Sequence, residues 1–373
     1  MNFKTPIFIQ AGLGKNSQPI EELCARWNHY GETLNILTSG ELQKIVVYFP
    51  NSDKIENLSS FKYLEVNFIQ DTLFGRIWLF WKLQQRINYL NPGRVTLIVG
   101  DLYISPLIAR SLKFIFKKRV GIQIQFHGAT YNNRVGGLRA RLKFWLMKGA
   151  VSSSNSIRIV SNFQQREIQA KFDVYSKEFV VSPIPISLAK IPTTRTSHQG
   201  LSLLILGRLH PERGIGEILK LIEMLARGRV ECTIDVVGEG PLKQLFEPHV
   251  HNTSGATKVV LHGQKNEMEV KSFLAKSDLL ISLAPEEGYG LALREAVLSG
   301  VHVLAKRNNG TSDVLLRFPG RIDLIENASE AFEFVKRFKP VDEDPDGLAE
   351  IRNDQELSDS RNIEALVTSW IKP

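Results

Sequence analysis

The feature that most constrains this 373-residue chain is a repeated alternation of short apolar runs with amphipathic stretches. Runs of that kind, separated by helical patterns, read as βαβ units and parallel sheets. In the first half the pattern predicts strands at 6–10, 34–38, 45–49, 64–69, 95–99, 121–126, 157–160 and 178–181. Helices are expected at 20–29, 73–90, 106–116, 138–150 and 163–170. The stretch 187–200 is polar, rich in Ser and Thr, and has no apolar period, which is how an interdomain linker looks. The alternation then restarts, with strands expected at 201–206, 231–237, 258–261, 279–283, 301–305 and 321–324. The matching helices are 214–227, 241–246, 266–276, 289–299 and 329–338. The expectation is therefore an α/β chain of two consecutive parallel-sheet domains, 1–186 and 201–358, joined by the linker 187–200. Residues 359–373 form a C-terminal helix expected to pack back on the first domain.

Composition limits the alternatives. Hydrophobic residues make up 43% and charged residues 23%, which excludes a disordered chain, a collagen or a coiled-coil rod. Two cysteines, Cys24 and Cys232, make neither a disulfide framework nor a Cys-based zinc site. The apolar run near the start is too short for a signal-peptide core, and no run reaches the ~18 apolar residues of a spanning helix. A cytoplasmic protein is expected.

Five strand-to-helix turns carry chemistry. The segment from Ala284 to Gly300 follows a buried-type strand and opens a helix. Gly288 and Gly290 permit close backbone approach there, and a helix N-terminus favours an anion such as phosphate. Glu287 and Glu295 flank that turn and suit the hydroxyls of a sugar nucleotide; solvated glutamates at a helix start are the plainer reading. Arg208 and Arg213 lie five apart on a Pro- and Gly-bearing turn, where paired guanidiniums could hold a pyrophosphate. His127, with Gly128, ends an apolar strand. Gly12 and Gly14 follow the first strand, in a loop that lacks the Walker pattern. Gly238 and Gly240 form the fifth turn.

In this order the five turns resemble the GT-B glycosyltransferases of family 4. Glu287 and Glu295 match the Glu-x7-Glu element with Gly-Tyr-Gly-Leu between, and Gly-Arg-Leu-His-Pro-Glu-Arg-Gly matches the phosphate-arginine element. The resemblance implies two Rossmann-like domains facing across a cleft, with donor held by the second and acceptor by the first. It implies a retaining, metal-independent transfer from a nucleotide-diphosphate sugar, UDP- or GDP-linked, with no other cofactor. Arg208 and Arg213 would stabilise the leaving pyrophosphate, helped by N–H groups around Tyr289 and Leu291. Glu295 would hold the ribose, Glu287 the transferred sugar, and His127 would lie near that sugar. Two other motifs are read as surface features: the acidic stretch 342–346, as a solvated loop, and His249-Val-His251.

Charge is divided unevenly. Residues 1–186 hold 24 Lys and Arg against 12 Asp and Glu, while residues 187–373 hold 23 against 27. Between Thr72 and Lys148 there are 14 basic residues and one acid, Asp101, interleaved with Trp78, Trp81 and Trp145. Basic helices with Trp fit an anionic membrane surface. The expected partners are thus a nucleotide-sugar donor, a glycan or lipid-linked acceptor and an anionic membrane, with no nucleic acid. A sugar-nucleotide-binding scaffold without activity is the alternative.

Overall fold

The computed structural model describes residues 3–11, 20–50, 60–90, 93–127, 138–188, 191–192, 194–196, 199–250, 255–340 and 344–372. The chain divides into two compact units, residues 1–183 with 360–373, and residues 184–359.

The first unit runs β1 (Thr5–Ile9), α1 (Ile20–Leu37), β2 (Ile45–Pro50), β3 (Leu64–Ile69), α2 (Leu73–Tyr89), β4 (Val95–Val99), α3 (Ile104–Phe116), β5 (Val120–Gln125), α4 (Leu138–Ser153), β6 (Ser156–Ile159), α5 (Asn162–Phe172) and β7 (Glu178–Val181). All seven strands are parallel, in the order β3-β2-β1-β4-β5-β6-β7. Strands such as β2 are buried along their whole length, because helices cover both faces of the sheet. Leu79, Leu112, Met147 and Ile168 of α2 to α5 pack on one face. Trp27 and Leu34 of α1 pack on the other.

The strand expected at 34–38 does not form; most of it is the last turn of α1. Trp27, Tyr30 and Leu34 are buried at helical spacing, and the Thr38 hydroxyl donates to the Leu34 carbonyl at 2.8 Å. The apolar stripe continues the helix through a stretch that locally reads as a strand. Gly31 fits inside this helix because a Cβ there would meet Tyr63 at 2.6 Å.

The second unit runs β8 (Leu201–Leu206), α6 (Ile215–Arg227), β9 (Cys232–Val237), α7 (Glu247–Val250), β10 (Thr257–Gly263), α8 (Glu267–Lys276), β11 (Leu279–Ser282), α9 (Leu291–Leu298), β12 (His302–Lys306), α10 (Asn309–Arg317), β13 (Ile322–Ile325) and α11 (Ala328–Arg337). Its six parallel strands are ordered β10-β9-β8-β11-β12-β13. That is the doubly wound order, whose direction reverses between β8 and β11; ligands bind beyond the strand ends at such a reversal. Arg195, in the stretch read as a linker, donates to Asp278 at 2.9 Å and to the carbonyls of Ser277 and Gly300. That part of the stretch is stitched onto the second unit.

The last helix, α12 (Pro345–Ile371), starts well before the expected 359. Residues 341–343 of the acidic stretch lie outside the described residues; Asp344 is exposed, ahead of the helix, and is tied to its first turn. It accepts the Gly347 N–H at 2.9 Å and pairs with Arg321 at 3.1 Å. A capping Asp followed by Pro in the first turn is a helix start. At its far end α12 packs on the first unit. Trp370 is buried and stacks on Trp27, with ring centroids 5.4 Å apart. Its indole N–H donates to Gln123 at 2.7 Å, and its carbonyl accepts from Thr96. Helix α10 was not expected. Asn308 caps it in a reciprocal box with Thr311.

Candidate functional site

In the second unit three turns converge at the reversal between β8 and β11. The first follows β8. Gly207 has φ +137°, and its N–H donates to the Val237 carbonyl at 3.0 Å. Arg208 is exposed and lies 3.5 Å from Glu212. A short 3-10 turn, Pro211–Arg213, then leads to Gly214 at φ +70°. A Cβ on Gly214 would fall 1.9 Å from the Leu283 carbonyl oxygen, so this turn can press against the end of β11 only with glycine.

The second turn carries Gly238 and Gly240. Their place is a backbone-to-backbone contact: a Cβ on Gly238 would meet the Gly207 carbonyl at 1.9 Å, and one on Gly240 the Leu209 carbonyl at 2.4 Å. The Leu209 N–H donates to the Glu239 carbonyl at 2.9 Å, locking the two turns together. These glycines shape the arginine turn.

The third turn follows β11 and carries Glu287. Its Oε2 accepts from Arg213 Nη1 at 2.9 Å, and its Oε1 accepts the Gly288 N–H at 3.1 Å. Gly310, at the start of α10, lets that helix reach Glu287; a Cβ there would lie 2.2 Å from the Glu287 carbonyl. Asn308 Nδ2 holds the Ala284 carbonyl at 3.1 Å. Helix α9 begins after Gly290, which has φ +72° and supplies no side-chain cap. The first-turn N–H groups, from Leu291 onward, are left without a capping side chain, the condition under which a helix start attracts an anion. Glu295 is half-buried one turn inside α9.

The sequence reading missed Arg294. It is buried on α9, stacks over the Tyr289 ring at 4.0 Å, donates to the Tyr289 carbonyl at 3.0 Å and pairs with Asp313 at 2.5 Å. Burial, the largest effect, raises the Tyr289 hydroxyl to about 12. Arg294 therefore fixes the loop between Glu287 and α9. The signal was its position among Leu293, Ala296 and Val297 on an inward face, where a charge needs a partner.

In the first unit His127 follows β5 at the carboxyl edge of the sheet. The ring keeps an exposed face. Even so, crowding by surrounding protein, then the charges of Arg158 and Arg26, hold its pKa well below the ordinary histidine value. The ring is neutral at pH 7. Gly12, Gly14 and Gly128 lie outside the described residues. At the reversal between β1 and β4, Asp101 accepts the N–H groups of Ala11 and Ile104, tying the end of β1 to the start of α3.

Residues 192–336 match the sequence model of the glycosyl transferases group 1 family. An uncharacterized glycosyltransferase of Bacillus subtilis, YqgM, is 23% identical over 167 residues, 44% of this chain and 45% of that protein. The chain thus matches less than half the length of this relative. The lipopolysaccharide outer core galactosyltransferase WaaB superimposes with a TM-score of 0.70 at 15% identity, covering 98% of this chain and 99% of the other. HepE of Anabaena, in complex with UDP, gives 0.60 at 14% identity, covering 99% and 96%. The family match is thus confined to residues 192–336, within the second unit, while the two parallel-sheet α/β units of the chain are those of the GT-B fold.

Proposed function

We propose that the protein is a retaining glycosyltransferase that moves a sugar from a UDP- or GDP-linked donor to a glycan or lipid-linked acceptor in the synthesis of a cell-surface polysaccharide or glycolipid. The observation that carries this reading is the Arg213–Glu287 pair beside the uncapped start of α9. It puts a cation, a carboxylate and free N–H groups around one sheet reversal, as a diphosphate with a sugar attached requires. Similarity to group 1 sequences, and to a fold seen with UDP in HepE, supports it.

In this proposal Arg213, Arg208 and the N–H groups at Tyr289 to Leu291 hold the diphosphate. Charge builds on its leaving oxygen as the bond to the sugar breaks, so these donors act where the transition state needs them. Glu295 takes the ribose hydroxyls and Glu287 those of the transferred sugar. In the first unit His127 takes a part in the reaction under this proposal. The acceptor oxygen attacks the anomeric carbon from the face the phosphate leaves, and the phosphate oxygen takes the acceptor proton. Contact with an anionic membrane through the basic first unit completes the proposal. Among the described residues no helix is long and apolar enough to cross a membrane. A screen of UDP, GDP and ADP sugars by thermal shift, followed by turnover of the donor that binds, tests the reading. A donor that binds and is never turned over would favour the inactive scaffold.

A further inference from the structure

Helices α2, α3 and α4 turn an apolar outer surface to solvent. They hold twelve of the eighteen large hydrophobic side chains exposed among the described residues, with Phe114 85% and Trp145 66% exposed. Concentrated exposure of that kind marks an interaction surface. Between α3 and α4 an open groove of about 670 Å³ is lined by Leu107, Phe114, Ile115 and Trp145, together with Arg110 and Lys113. Gly149 lets Arg110 lie across α4, since a Cβ there would be 2.5 Å from Nη1.

A second cleft of about 370 Å³ opens at the amino edge of the same sheet, lined by Lys4, Lys113, Lys117, Lys118, Gly121 and Asn155. Lys113 belongs to both cavities. Its Nζ donates to the Ser153 carbonyl and to Asn155, each at 2.8 Å, which fixes it at their junction. Among the described residues no carboxylate lines either cavity. Lys113 and Lys177 also cap the carbonyls at the end of α4, but Lys117 and Lys118 make no such contact among the described residues.

We infer that groove and cleft together seat one anionic phospholipid of a bilayer, its phosphate among Lys113, Lys117 and Lys118 and its acyl portion against Phe114, Ile115 and Trp145. This rests on the membrane contact proposed above and gives it an address. A soluble polyanion would use the lysines but leave the aromatic groove unexplained; a bilayer uses both. The cleft lies at the start of β5 and His127 just beyond its end, so six strand residues, roughly 20 Å, separate them. The lipid is an anchor rather than the sugar acceptor.

The test is co-sedimentation of the full chain with phosphatidylcholine vesicles, with and without phosphatidylglycerol. Wild type should bind the anionic vesicles and ignore the neutral ones. The double variant Lys117→Gly/Lys118→Ser should bind about 25-fold more weakly, roughly fivefold per lysine. Lys117 has φ +49°, which glycine adopts freely, so this variant should fold. Phe114→Ser/Trp145→Ser should weaken binding at least about tenfold, since apolar insertion adds to charge. Wild-type indifference to anionic vesicles, or variants that bind as wild type does, would overturn the inference. So would lysine-dependent binding of polyphosphate with vesicle binding unaffected. The assay contains no sugar nucleotide. Lost vesicle binding with donor binding intact strikes the lipid seat alone, and the reverse result strikes the transferase reading alone.

Discussion

Arg213 and Glu287 meet at 2.9 Å, joining the turn after β8 to the loop after β11. Their side chains are 23% and 14% exposed, so the pair is shielded but open to exchange. In the pair each charge neutralises the other; under the proposed function a diphosphate sugar would offer Arg213 a phosphate and Glu287 hydroxyl donors. The two substitutions should therefore behave differently. Arg213→Ala should weaken UDP or GDP binding and lower turnover by about 10²- to 10³-fold, the usual effect of removing one donor to a developing anion. Glu287→Ala frees Arg213 and should leave nucleotide binding unchanged or tighter while transfer falls. Calorimetry with the nucleotide alone, set beside steady-state kinetics, separates them.

The glycines of the site can be ranked by what a methyl group would meet. Gly214→Ala and Gly310→Ala drive a Cβ to 1.9 Å and 2.2 Å of carbonyl oxygens. Each should destabilise the second unit by at least about 2 kcal/mol, because the clashing backbone must shift, and at Gly214 the positive φ adds strain. Gly216 in α6 has nothing within 4 Å, so Gly216→Ala should be neutral or stabilise by up to about 1 kcal/mol. Urea unfolding of the three variants gives the order directly.

Trp370 tests what the end of α12 contributes to the first unit. It is fully buried against Trp27 and Tyr30 and bonded to Gln123. Trp370→Ala should cost about 3–5 kcal/mol, the range for an aromatic lost from a core. Trp370→Phe keeps most of the packing but leaves the Gln123 oxygen without its donor, and should cost less. Chemical denaturation monitored on the first unit measures both.

His127 gives a pH signature. Its folded pKa lies well below the usual 6.5, so near that pH the unfolded chain binds the extra proton. Stability is then full above pH 6.5 and is lost as pH falls from there through the folded value. An NMR titration should place the imidazole midpoint well under 6.5. Arg26→Gln removes one of the opposing charges and should raise it. A midpoint at the ordinary value would mean that solvent reaches the ring freely.

The two sheets were legible because parallel strands buried on both faces are written as apolar runs; β3, β4, β7 and β8 fall on the expected residues. What failed had a local physical cause. The stretch 34–38 carries strand-forming residues, yet the stripe from Trp27 through Leu34 holds it in a helix. The start of α12 was hidden because Asp344-Pro345 reads as an acidic loop when its capping role is overlooked. At the site, the residue types and their turns were readable from spacing. The ion pair between Arg213 and Glu287 was not, because it depends on two glycines that let separate loops close to contact. Arg294 was missed because its partner Asp313 lies on the next helix.

The most direct measurement is transfer by the purified chain. It is incubated with the UDP or GDP sugar that stabilises it and with membrane extract as acceptor, and the configuration of the new linkage is read by NMR. The expected result is release of the nucleoside diphosphate and a product that keeps the donor's anomeric configuration, with both abolished in Arg213→Ala. No binding across the donor panel, or transfer undiminished in Arg213→Ala and Glu287→Ala, would contradict the assignment of these two residues to the reaction.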